Sequence, residues 1–204
     1  MSDTPEEKIN FFNRYAAQLA ESGYCPHEIA RIQALITRAS VTPGMRVLEP
    51  GCGPGHITRL LAECVGEDGH VCALDISSEM VRLCQAHVSG LAQVHVTQCA
   101  VENYYCEESP LDLVFCFNAF PHFDNHPKAL RAAFACLAPS GRLVIAHSTS
   151  RKHVNHVHQD AGGAIKHDLL PAPEALTAMV TGAGFSMQEV DDGEQSFFLS
   201  ALKP

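Results

Sequence analysis

The chain has 204 residues, 46% of them hydrophobic and 18% charged, which suits one globular domain at roughly 150 residues per domain and excludes disorder, collagen-like repeats and coiled coil. Its 14 Lys+Arg against 23 Asp+Glu give a formal charge of −9, a balance that repels a phosphate backbone and disfavours a nucleic-acid substrate. The unusual counts are nine cysteines and twelve histidines, with no tryptophan.

The first residues, Met1 to Glu7, show no basic stretch followed by an apolar one. No window approaches the ~18 uninterrupted apolar residues of a membrane span. The expectation is a cytoplasmic protein without a membrane partner. The cysteines are odd in number, evenly spread and never form C-x-x-C, so neither a disulfide framework nor a zinc knuckle is signalled. Most of them read as small core residues. Cys52 and Cys99 stand apart because of where they fall.

In chain order, Phe11, Phe12, Tyr15 and Leu19, then Ile29, Ile32, Leu35 and Ile36, recur at helical spacing and predict two amphipathic helices before Thr42-Pro43-Gly44. Met45 to Glu49 reads as a buried strand, Gly51 to Gly55 as a glycine turn, and Leu60, Leu61, Cys64 and Val65 as the inner face of the next helix. A second strand ends at Asp75 and a helix follows from Ser78 to His87. Further strands are expected at Val94–Thr97, Leu111–Cys116 and Arg142–Ala146, with a helix from Lys128 to Leu137 and a turn at Pro139-Ser140-Gly141. Strands alternating with helices predict a parallel sheet covered on both faces. After a histidine-rich stretch from His147 to His167 come a helix over Glu174–Thr181 and two strands around Asp191-Asp192-Gly193, a hairpin signal.

The glycine turn Glu49-Pro50-Gly51-Cys52-Gly53-Pro54-Gly55 lies between strand and helix, where a backbone free of side chains can approach a ligand. Asp75 stands at the tip of the next strand, placed to accept hydrogen bonds from ribose hydroxyls. The spacing is G-x-G-x-G with His56 at the position of a third fingerprint glycine, which disfavours a pyrophosphate. Glu49 would repel phosphates and suit a cationic amino-acid group or a structural hydrogen bond to the loop. S-adenosylmethionine (SAM) fits such a loop.

These segments resemble the class I SAM-dependent methyltransferases, in particular a small single-domain branch. Val47–Gly55 is similar to their first motif, Ala73-Leu74-Asp75-Ile76-Ser77 to the second, and Cys99-Ala100-Val101-Glu102 to the adenine-contacting segment. Phe117 to Phe123 resembles the segment beside the methionine part and the substrate, and Leu137 to Leu143 the turn into the fifth strand. Phe11-Phe12-Asn13-Arg14-Tyr15-Ala16 resembles an N-terminal lid, with Asn13 where that pattern has aspartate. His147-Ser148-Thr149-Ser150-Arg151 to His158, then Asp168-Leu169-Leu170-Pro171, is similar to the same small branch.

The resemblance implies an α/β, Rossmann-like three-layer sandwich whose seven-stranded, mostly parallel sheet has an antiparallel last strand. It implies one domain over 1–204, with a helical lid at 1–40 and a substrate-side insertion at 147–170. The implied cofactor residues are Glu49, Gly51, Cys52, Gly53, Gly55, Asp75, Ile76, Ala100, Val101 and Asn118. The implied activity is methyl transfer from SAM to a small-molecule acceptor, since no separate substrate domain is left over.

If Ser150 caps a helix, then Arg151, Val154, Asn155 and His158 share one face, while His153 and His156 point away. His122 and His147 leave the fourth and fifth strands at the ligand edge of the sheet. His122, His147 and His158 are therefore the catalytic candidates, either as base or acceptor-binding groups or as ligands of a divalent metal. Tyr15, Arg151 and Asn155 are the substrate-binding candidates, with Arg151 suited to a carboxylate or phosphate. A SAM- or metal-binding sensor and an NAD(P)-dependent oxidoreductase are the rival readings. The accepting atom (O, N, S or a metalloid) and the oligomeric state stay open at this level.

Overall fold

The computed structural model describes residues 4–106 and 110–204; Met1 to Asp3, on which part of the leader-free reading rests, lie outside them. Two helices come first, α1 (Pro5–Ser22) and α2 (Pro26–Arg38). The α1 start is held by a capping box: the Glu7 N–H donates to Thr4 Oγ1 and the Thr4 N–H donates to Glu7 Oε2. Alternation follows: β1 (Arg46–Pro50), α3 (His56–Val65), β2 (His70–Asp75), α4 (Ser78–His87), β3 (Val94–Gln98), β4 (Leu111–Phe117), α5 (His126–Cys136) and β5 (Leu137–His147). The chain closes with α6 (Arg151–Ala161), α7 (Pro173–Gly182), β6 (Ser186–Asp192) and β7 (Phe197–Leu202). Among the described residues no helix is long and apolar enough to cross a membrane.

The seven strands form one sheet in the order β3-β2-β1-β4-β5-β7-β6. β1 to β5 pair in parallel, and β7 runs antiparallel to both β5 and β6. The expected antiparallel last strand and the expected hairpin are thus one feature. Strand periodicity sends neighbouring residues to opposite faces. Val47, Leu113, Phe115 and Val144 meet Ile32, Leu35, Leu61 and Val65 of α2 and α3 on one side. Leu48, Val114, Cys116 and Ile145 meet Leu130, Ala133, Leu176 and Val180 of α5 and α7 on the other. Three layers result, with nearly every central strand residue buried on one face or the other.

One local expectation changes. Pro139-Ser140-Gly141 is not a free turn but part of the 11-residue β5. Ser140 (φ 65) is held because its N–H donates to the Lys203 carbonyl while the Lys203 N–H donates to Gly141. The register shifts between Leu111 and Leu113 at the same level, as expected where a strand carries an extra residue.

The sheet order reverses between β1 and β4, since β2 and β3 lie to one side of β1 and β5 to the other side of β4. In open α/β sheets the crevice outside the strand C-termini at such a switch point is where ligands bind. The ends of β1, β2, β3 and β4 all open there.

Candidate functional site

A cavity of about 510 Å³ occupies that crevice. One half is built by backbone. Gly51 N–H and Cys52 N–H both donate to the Leu74 carbonyl, at 2.7 and 2.8 Å, and Gly53 N–H donates to Asp75 Oδ2 at 2.9 Å. The loop after β1 is thereby tied to the end of β2. Gly51 takes φ +76, and a Cβ there would stand 2.5 Å from the Ala119 Cβ, so only glycine fits both the left-handed conformation and the space. Gly55 (φ +93) answers a different need: a Cβ would come within 3.0 Å of the Cys84 Sγ and Cα, so this glycine lets α3 lie against α4.

Asp75 is only 9% exposed. Its other oxygen, Oδ1, accepts from the Ser77 N–H at 2.9 Å, so both carboxylate oxygens are oriented before any ligand arrives. Burial pushes this carboxyl above its usual range, opposed by the Ser77 and Gly53 N–H groups. Glu49 is buried at 2% exposure on the cavity floor, and its Oε2 has no hydrogen-bond partner. Burial pushes this carboxyl well above the usual range, only partly countered by a hydrogen bond with Thr58. A buried carboxyl without a partner invites a cation. The Cys84 thiol and burial together push Cys52 well above the usual thiol range, which leaves it a protonated wall residue.

The other half is built by side chains from four distant segments. α1 supplies Phe11, Phe12, Tyr15 and Leu19; the 3-10 turn Phe120–His122 after β4 supplies His122; α6 supplies Val157 and His158; and Ile165 comes from the 3-10 turn Gly163–Ile165. α1 is anchored across the cavity by Asn13, whose Oδ1 accepts from Ser77 Oγ (2.7 Å) and the Glu79 N–H (3.3 Å) at the start of α4. The Ser150 side chain accepts from the His153 N–H and caps α6 as expected.

At the centre of this half, His122 Nδ1 lies 2.8 Å from Asp168 Oδ2. An ionised carboxylate only accepts, so Nδ1 carries the hydrogen and Nε2 keeps the lone pair. Lys8, 5% exposed, donates to the His122 carbonyl (2.9 Å) and pairs with Asp168 Oδ1 (3.2 Å) and Asp124 Oδ1 (3.0 Å). Burial raises the Asp168 carboxyl, but the His122 hydrogen bond and Lys8 outweigh it and hold it below the usual range. Burial lowers His122 despite Asp168, so the ring is neutral at neutral pH. His158 stands beside it at 4.6 Å between ring centroids, its Nδ1 on the Asp168 carbonyl. Asp168 and Lys8 were not singled out as site residues from sequence. Lys8 carries no sequence signal, because its partners lie more than a hundred residues away.

The cavity wall takes in Glu49, Gly51, Cys52, Gly53, Asp75, Ile76, Ala100, Val101, Asn118, Tyr15, His122 and His158. Four expected residues are not on it. Gly55 faces α4, as described. His147 is 2% exposed beneath the cleft, with Nε2 unpartnered, and burial, then His122 and His158, push it down to about 3. Arg151 Nε donates to Asp192 Oδ2 (2.8 Å), away from the cavity. Asn155 serves the chain itself: its Nδ2 donates to the Leu170 carbonyl and its Oδ1 accepts the Leu170 N–H. The three histidines are not brought together as one ligand set, because His147 lies beneath the cleft that His122 and His158 line; among the described residues no three His, Cys, Asp or Glu side chains are arranged to hold a metal ion.

A sheet of this order, with a glycine loop after β1 and an acid at the end of β2, defines the class I SAM-dependent methyltransferase fold. A family model described as a methyltransferase domain matches residues 41–184, and the chain belongs to that family. It is 33% identical over 106 residues to the ubiquinone/menaquinone biosynthesis C-methyltransferase UbiE of Vibrio vulnificus, covering 50% of this chain and 41% of that protein. It is 26% identical over 177 residues to phosphoethanolamine N-methyltransferase 1 of Zea mays, covering 82% of this chain and 33% of the relative. The chain thus spans about two fifths or less of the curated relatives it matches. Among solved structures, the N-methyltransferase NodS from Bradyrhizobium japonicum in complex with S-adenosyl-L-homocysteine (SAH) superposes with a TM-score of 0.75 at 16% identity, covering 97% of this chain and 99% of that one. That likeness concerns the fold.

Proposed function

We propose that the protein transfers a methyl group from SAM to a small-molecule acceptor, with His122 as the general base. The observation that carries the cofactor half is the strapped loop: Gly53 and Asp75 are joined by a 2.9 Å hydrogen bond above the unpartnered Glu49 oxygen. In this reading Asp75 holds the ribose hydroxyls, Ile76 lies on the adenine face, Ala100 and Val101 meet its edge, and Glu49 takes the ammonium of the methionine part. The wall residues present fit that group, since Gly51 and Gly53 keep side chains out of its path and the orphaned carboxyl wants a cation. When bound, the cofactor supplies an electrophilic sulfonium methyl.

The chain's own task is then to position the acceptor and to take its proton. The Asp168 hydrogen bond orients the His122 ring and fixes its tautomer, and neutrality at pH 7 leaves Nε2 able to accept a proton. His158, with Nδ1 held by the Asp168 carbonyl, lines the acceptor side, and Tyr15 and Phe12 of α1 close over it.

Isothermal calorimetry with SAM and SAH tests this reading. Both should bind the parent chain, and Asp75→Ala should weaken them about tenfold or more, since two oriented acceptors are lost. Unchanged affinity in that variant would remove Asp75 from the cofactor site.

A further inference from the structure

We infer that the acceptor is a small, uncharged and largely apolar molecule, and that the pocket discriminates against phosphate esters and carboxylates. This deepens the methyl-transfer reading and rests on it. Among the described residues, the cavity wall carries no lysine or arginine, yet it carries four acidic residues: Glu49, Asp75, Glu102 and Asp124.

The neighbouring cations are already engaged. Lys8 is buried between Asp124 and Asp168. Arg151 is paired with Asp192, and Arg31 donates to the carbonyls of Ser148 and Gln195. An anionic group entering this half would lose its water, meet no lysine or arginine free to pair with it, and face Glu102 and the Lys8-bound Asp124 on the same wall. Burying a charge without a partner is costly enough to decide between ligands. Lys8 cannot be recruited cheaply, because moving it would strand Asp168 and release His122.

Attraction comes instead from apolar surface. Beyond the glycine loop the wall includes the apolar and aromatic side chains of Phe11, Phe12, Tyr15, Phe123, Val157 and Ile165. Burial against such a wall is worth about 25 cal/mol per Å² of apolar ligand surface. Directional polar recognition is scarce there. Asn118, the remaining amide, already exchanges hydrogen bonds with Ser148: its Nδ2 donates to Ser148 Oγ and its Oδ1 accepts the Ser148 N–H. His122 Nε2, with His158 and the Tyr15 hydroxyl beside it, forms a small uncharged polar set on this wall, which matches a molecule with an X–H group on an apolar body.

The test uses the full chain loaded with SAH and two matched pairs of probes, benzyl mercaptan against 4-(mercaptomethyl)benzoate and 4-ethylphenol against 4-hydroxyphenylacetate, with binding read by calorimetry at pH 7.5. The uncharged member of each pair should bind about tenfold or more tightly than its carboxylate partner. Val157 is 45% exposed on the wall, so Val157→Lys should fold normally and raise carboxylate affinity about tenfold by placing one cation in the cleft. Equal or tighter binding of the carboxylates to the parent, or no binding of either uncharged probe to the SAH-loaded chain, overturns the inference. Failure of SAH itself to bind would instead bring down the methyl-transfer reading.

Discussion

The two halves of the cavity are made in different ways. On the β1–β2 side the cavity-facing atoms are mostly backbone together with the acids Glu49 and Asp75, and the loop is bound to β2 within the 25 residues from Gly51 to Asp75, by Gly51 N–H on the Leu74 carbonyl and Gly53 N–H on Asp75. On the α1–α6 side they are side chains drawn together over long separations, with Lys8 reaching Asp124 across 116 positions and His122 reaching Asp168 across 46. A backbone cradle recognises the part of a ligand that every member of a family shares, because glycine leaves little room for variation. A side-chain cradle can be altered one residue at a time without disturbing the sheet. Cofactor binding should therefore tolerate changes on the α1–α6 side, and turnover should not.

The sharpest separation should come from His122→Gln and Asp168→Asn. Each is expected to cut turnover about 100- to 10,000-fold while calorimetry finds SAH affinity close to that of the parent. Because burial holds His122 below its usual range, the acid-side fall in kcat/KM of the parent should lie below the ordinary histidine value of about 6.5, and Asp168→Asn should displace that limb. A loss of SAH binding in either variant would show that the two halves are not independent.

Gly51→Ala strikes the other half. The new Cβ meets Ala119 at 2.5 Å in a left-handed backbone, so SAH affinity should drop about tenfold or more and the fold should lose about 1–3 kcal/mol. Thermal melting with and without SAH reads both. An SAH-induced shift as large as the parent's would mean the loop has another way to present its N–H groups.

The third effect is one of pH. His147 is neutral in the fold because burial, helped by His122 and His158, pushes it down to about 3, whereas in the unfolded chain it titrates near 6.5. Between those values the unfolded chain binds a proton that the fold refuses, so the stability present above about pH 6.5 is lost as pH falls toward 3. His147→Leu removes one contributor and should flatten the decline in urea midpoint between pH 7 and pH 5; an equally steep decline would assign it to other groups. The smallest effect is expected from Arg151→Ala. Its partly exposed pair with Asp192 is worth about 0–1 kcal/mol, and turnover should be unchanged within error. A collapse of activity would return Arg151 to the acceptor side.

Much of the cofactor half could be read from residues alone. The strand before Gly51, the glycine spacing and Asp75 are local, and strand alternation in Val47-Leu48 and Val144-Ile145 divides the two faces of the sheet as the buried clusters do. The α6 face was equally legible: Arg151, Asn155 and His158 are turned away from His153 and His156, which are exposed. Sharing a face did not give these residues a shared role. Arg151 and Asn155 found partners in Asp192 and Leu170, and only His158 reached the cavity.

What sequence determined by itself was therefore the part of the protein in which backbone periodicity and short spacings carry the information: the α/β order, the turn chemistry, the loop and its acid. Tertiary structure alone decided which of the three histidines face the cleft, since His122 and His147 leave neighbouring strands at one edge yet one lines the cavity, with His158, and the other lies beneath it. It also brought in Lys8 and Asp168, whose charges acquire meaning only once α1 and the segment after α6 close over the same edge of the sheet. The physical reason is range. Hydrogen-bonded turns are settled within a few residues, while the charge and proton state of a buried side chain are set by whatever distant segments the fold places against it.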